Sequence, residues 1–148
     1  MAPVNKLFLK EEPSAKAKFD IAKQAWWGLA FWLAFGLLIE GLIGFRTPLY
    51  LQDPVRREMF RLAHAHGTVL SLLLLIANIY IQKGLTAPPA AAVWSLRLGI
   101  LLMPTGFLLG GIWHHESDPG IGVFLAPLGG VMIIFGVAAI AMSSRGGR

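Results

Sequence analysis

"LAHAHGTVLSLLLLIANIYI", residues 62–81, decides what kind of protein this is. A helix needs roughly 20 mostly apolar residues to cross about 30 Å of hydrocarbon. This stretch meets that length and carries no acid, lysine or arginine. Its apolar positions do not alternate with polar ones, so it reads as a spanning helix and not a strand. Three more stretches repeat the pattern: "AWWGLAFWLAFGLLIEGLIGF" (25–45), "VWSLRLGILLMPTGFLLGGIW" (93–113) and "IGVFLAPLGGVMIIFGVAAIAM" (121–142). The sequence therefore predicts an all-α integral membrane protein, a four-helix transmembrane bundle over 25–148 with both termini on the same side.

Composition agrees. Of 148 residues, 55% are hydrophobic and 14% charged, a balance that would leave a soluble domain with large exposed apolar patches. There is no cysteine, which excludes disulfides, thiolate metal sites, iron–sulfur clusters and cysteine nucleophiles. The net charge of +5 comes from short flanks around the apolar runs. That placement sets membrane orientation and does not point to nucleic acid. Residues 1–24 read as a cytoplasmic N-terminal segment without a cleavable signal. Within it "PSAKAKFDIAKQAWW" (13–27) predicts a short surface helix, with Trp26 and Trp27 at the interface.

The basic residues Lys6, Lys10, Lys16, Lys18, Lys23, Lys83, Arg97, Arg145 and Arg148 fall on the side of the termini, against Arg46, Arg56, Arg57 and Arg61 on the other. The positive-inside bias puts the termini in the cytoplasm, as expected for a bacterial inner membrane. The alternation of spans then delivers every histidine, His64, His66, His114 and His115, to the opposite, outer side. Glu40, Asp53, Glu58, Glu116 and Asp118 go with them.

Imidazoles and carboxylates converging at one end of a bundle are ligands for zinc, copper, manganese or non-haem iron. Two imidazoles on different helices can also clamp a haem iron. At 100° per residue His64 and His66 diverge by about 200°, so they do not form a paired ligand set. His66, followed by Gly67 and Thr68 with room for a bulky ring, is the expected inward ligand; His64 is the expected rim residue. His114 or His115 would complete the site, with Glu40 or Glu116 as supporting ligands. Glu40, an acid inside a span, is a functional candidate by itself, with pairing to Arg46 as the structural alternative. Asn78 is a candidate interhelical hydrogen bonder. No nucleophile–base arrangement stands out, so independent catalysis is not expected.

Glycine is frequent, 17 residues. Gly106 and Gly110, and Ala126 and Gly130, have the four-residue spacing that lets helices approach closely. Such faces suit packing within the bundle, a homo-oligomer, or docking against other membrane subunits. Pro104 and Pro127 predict kinks, and "SDPGIG" (117–122) a tight turn in which Asp118 is a turn residue.

Residues 63–81, "AHAHGTVLSLLLLIANIYI", resemble the second transmembrane helix of haem-copper oxidase catalytic subunits, where a histidine in a His-Gly-Thr segment near the outer end ligates the low-spin haem. With the Gly-rich first span and Arg46 the resemblance covers residues 25–81. It implies that His66 is an axial ligand position. Nothing here matches that family's copper-ligand helix with its histidine–tyrosine pair, and "IWHHESDPG" (112–120) lacks the spacing of its later haem-ligand helix, so oxygen reduction is not implied. Two functions follow as expectations: a small redox or respiratory membrane protein binding haem or a transition metal (copper, zinc or iron), or an accessory subunit of a larger respiratory or photosynthetic membrane complex with no cofactor of its own.

Overall fold

The computed structural model describes residues 15–144, with side chains described from residue 21. The first helix, α1, runs Ala15–Gly44. A single turn, α2, covers Pro48–Leu51, and α3 runs Pro54–Gln82. Helix α4 spans Ala90–Ile112. A 3-10 turn at Ile121–Phe124 leads into α5, Leu125–Ser143. Among the described residues, four segments are long and apolar enough to cross a membrane: Ile21–Gly44, Pro54–Gln82, Ala90–Ile112 and Ile121–Ser143. The expected helix bundle is therefore present.

Two boundaries differ from expectation. Residues 15–24 continue α1 without a break, so no separate surface helix forms there; residues 1–14 lie outside those described. Helix α3 starts eight residues earlier than the apolar run, because Asp53 caps it through a 2.8 Å bond from the Arg56 amide and Pro54 supplies the first-turn φ. His64 and His66 consequently lie about 15 and 18 Å from the helix start, well beyond its first two turns.

Each long helix packs on its neighbour in sequence: α1 on α3, α3 on α4, α4 on α5. Among the described residues α1 and α5 make no extensive contact with each other, so these helices form an open row whose outer flanks belong to α1 and α5. Its core is built from Ile21, Ala25, Leu70, Leu74, Ala77, Leu96, Ile100 and Ile133. Contacts fix which ends meet. At one end, the terminal end, Gln24 bonds Arg97, and Thr86 bonds Ser143 and the Ile140 carbonyl. At the other, the loop end, Arg56 bonds the Gly111 carbonyl.

The tightest interface is α4 on α5. A Cβ on Gly99 or Gly129 would press on the opposing backbone, and Gly106 faces the Leu125–Ala126 backbone. Gly106 and Ala126 thus serve close packing as expected. Gly110 lies against Val123 of the 3-10 turn, while Gly130 faces open space. The small face of α5 is Ala126, Gly129 and Gly136. Pro127 falls in the first turn of α5, where a missing amide costs no intrahelical bond, whereas Pro104 lies inside α4.

Both α1 and α3 end in a Schellman motif, with Thr47 N donating to Leu42 O and Leu85 N to Tyr80 O. The left-handed position is Gly84 (φ 67°) in α3 but Arg46 (φ 50°) in α1, where a side chain adds strain that glycine avoids.

Candidate functional site

The polar residues of the loop end close on one another. Asp53 accepts from the Arg56 amide through Oδ1, and its Oδ2 lies 2.8 Å from His114 Nε2 and 3.5 Å from an Arg56 Nη. Arg56 further donates to the carbonyls of Gly111 and Leu49, and Arg57 to that of Leu51. Asp53 and Arg56 therefore tie the α1–α3 connection to the end of α4, while Arg57 closes onto that connection. Burial by itself raises the Asp53 carboxyl, but the Arg56 amide, the His114 hydrogen bond and the nearby charges outweigh it and hold it below the usual carboxylate value. The His114 side chain is only 8% exposed. Its Nε2 is committed to Asp53 and its Nδ1 is buried without a partner.

His64 and His66 point to different neighbours, as their divergence on a helix requires. His64 is not a rim residue. Its ring occupies the space above Gly36 of α1, and its Nδ1 lies 2.8 Å from the Trp32 carbonyl. The complementary lock sits one turn on: the Trp32 indole fills the space over Gly67 of α3. The clearance beside His66 that the sequence offers to a bulky ring is thus taken by a tryptophan of this chain. Two ring-on-glycine contacts, one in each direction, join α1 to α3. Aromatic neighbours extend the seam from Trp32 through Phe35 and Phe60 to buried Tyr50.

His66 bonds within its own helix, Nδ1 to the Leu62 carbonyl at 2.8 Å, and its ring lies 5.0 Å from that of Phe107 on α4. His114 lies beyond the end of α4 at Ile112. His66 and His114 turn to different partners, Leu62 and Phe107 for the first and Asp53 for the second. His115 and Glu116 are exposed in the α4–α5 connection, where Glu116 holds φ 49° and His115 pairs with Asp118 in a short bridge. Asp118 is thus a turn residue, as expected. Glu40 is exposed on the flank of α1, and among the described residues it has no ion-pair or hydrogen-bond partner, Arg46 included. Asn78 is buried, and its Oδ1 lacks the interhelical bond expected of it. Among the described residues, no three histidine, aspartate or glutamate side chains gather closely enough to hold a metal ion.

Sequence reasoning missed three arrangements. Asp53 was legible as a helix cap from "TPLYLQDPVRRE" (47–58), since Thr-Pro and Asp-Pro both mark helix starts. Its bond to His114 had no sequence signal. Nor did the reciprocal Gln24–Arg97 pair at the terminal end, which joins residues far apart in the chain.

The helices and their buried polar contacts define the class: a small polytopic α-helical membrane protein. Comparison with protein-family models, with curated proteins and with solved structures returned no match.

Proposed function

We propose that this protein is a structural, accessory subunit of a larger membrane complex, held there through the open flank of α1. The carrying observation is the exposed face of that helix. Ala30, Ala34 and Gly41 lie along its centre, opposite the α3 interface, and no atom stands within 4 Å of where a Gly41 Cβ would be. Glu40 lies at its edge, exposed. Small residues let a second helix approach, and an unpartnered carboxylate within a span is costly in lipid. A neighbouring subunit's transmembrane helix, placing a donor or cation opposite Glu40, meets both conditions. The chain's own histidines support the same view, since three of them serve internal hydrogen bonds.

Gentle-detergent purification from the native membrane followed by native mass analysis tests this. The expected result is a fixed-stoichiometry complex with another membrane protein, dissociated by Ala34→Phe or Glu40→Ala. A lone monomer, insensitive to both substitutions, refutes it.

One observation favours a second function, in which His66 ligates a haem or chlorophyll-type metal. With Nδ1–H donated to the Leu62 carbonyl, Nε2 keeps its lone pair, the orientation that ligating histidines take from such second partners. An absorption spectrum of the native protein, with and without His66→Ala, decides it. Colourless protein ends that alternative.

A further inference from the structure

At the terminal end Arg97 sits about 10 Å along α4 from Ala90, deep enough to meet the hydrocarbon boundary. Its side chain does not wander. Nε donates to Gln24 Oε1 at 2.7 Å, and Gln24 Nε2 donates back to the Arg97 carbonyl at 3.0 Å. The guanidinium lies 4.4 Å from the centre of the Trp94 ring, a cation–π contact that fixes its plane. These contacts use one face and one nitrogen. The two Nη groups have no acceptor among the described residues, and Arg97 is half-buried.

Residues 1–24 carry five lysines against the three acids Glu11, Glu12 and Asp20, so the charge at this end is net positive. Lys23 and Lys83 are exposed at the same end, while every carboxylate among the described side chains, Glu40, Asp53, Glu58, Glu116 and Asp118, lies toward the loop end. A cation held at the edge of hydrocarbon needs an anion or water, and a planar guanidinium matches the paired oxygens of a phosphate. Glutamine at position 24 holds the fork without neutralising it, which a glutamate would do.

We propose that Arg97, positioned by Gln24 and Trp94 with Lys23 or Lys83 at its rim, binds a phosphate group at the membrane boundary. The group is the phosphodiester of a phospholipid headgroup or free phosphate; both offer the same oxygens. This site is independent of the accessory role.

Native mass spectrometry of the detergent-purified full chain tests it, with phosphatidylglycerol, phosphatidylcholine and inorganic phosphate added separately. The expected result is retention of phosphatidylglycerol above phosphatidylcholine, reduced about tenfold by Arg97→Gln and less by Arg97→Lys, which keeps charge but loses the fork. Gln24→Glu should reduce it as strongly, because it supplies an internal counter-ion without removing the arginine; it gives up the donation to the Arg97 carbonyl, so a retained cooperative melting transition is checked alongside. Retention of inorganic phosphate with the same dependence on Arg97 assigns the site to free phosphate and equally supports it. Binding that is unchanged in both Arg97→Gln and Gln24→Glu, or no binding of any phosphate, overturns it. If Arg97→Gln does not fold, Gln24→Glu decides by itself: reduced binding supports the site and unchanged binding overturns it.

Discussion

Replacing Gly129 with alanine and replacing Gly130 with alanine should move stability in opposite directions, although the two residues are adjacent in α5. A Cβ on Gly129 would lie 2.6 Å from Met103 N and 2.9 Å from Gly99 O, both backbone atoms of α4. Neither can swing aside as a side-chain tip would. To restore an ordinary contact, α5 must withdraw from α4 by most of an ångström. A gap of about 0.5–1 Å already forfeits a quarter to a half of the dispersion well at each contact. In lipid that packing has no hydrophobic effect to replace it. The loss is about 2 kcal/mol, within the range of overpacked cores, and it exceeds the helix-propensity gain of about 1 kcal/mol from glycine to alanine. At Gly130 nothing stands within 4 Å, so only the propensity gain remains. Equilibrium unfolding in mixed micelles measures both variants against the native chain. Equal effects, or a neutral Gly129→Ala, would refute the close approach of α4 and α5.

Two further outcomes follow. Because the folded-state pKa of Asp53 is depressed, its contribution is fully present above the unfolded carboxylate value and is lost as pH falls through the folded one. Melting temperatures measured across acid pH should show that loss in the native chain, and Asp53→Asn, which still caps α3, should be less stable at neutral pH and lack that component. His64→Ala empties the space above Gly36 and frees the Trp32 carbonyl, so it should cost about 2–4 kcal/mol. His66→Ala removes a bond within its own helix and the ring contact with Phe107, and should cost less, about 1–2 kcal/mol. Reversal of that order in the same unfolding assay would contradict the α1–α3 seam.

The spans were legible because hydrocarbon permits one solution for an uncharged run of that length, and 121–142 contains no charge to blur its limits. The start of α3 was less so: "DPVRREMF" (53–60) is polar, and hydropathy stops where the cap and proline signals continue. Histidine divergence was a matter of helix geometry and emerged as expected, His64 toward α1 and His66 toward α4. Their partners were not legible. Gly67 announces that a ring lies against α3 but not whose ring, and the sequence suggested a cofactor where Trp32 of α1 stands. Gly129 against Gly130 shows the same limit, since a small-residue pattern marks a face only to within one residue until the opposing backbone is known.

The row of helices bears on how the chain assembles. Among the described residues every extensive contact between long helices joins segments consecutive in the sequence, separated by a short connection, so these interfaces need no distant partner. Short-range contacts of this kind keep loop-closure costs low and folding fast. As the chain is synthesised, α3 can dock on α1 through the two ring-on-glycine contacts before α4 is made, and α5 can close onto α4 last. A chain interrupted after Gln82 would already contain its complete first interface. The open row is therefore also an order of assembly, in which each inserted helix is paired as soon as the next one arrives.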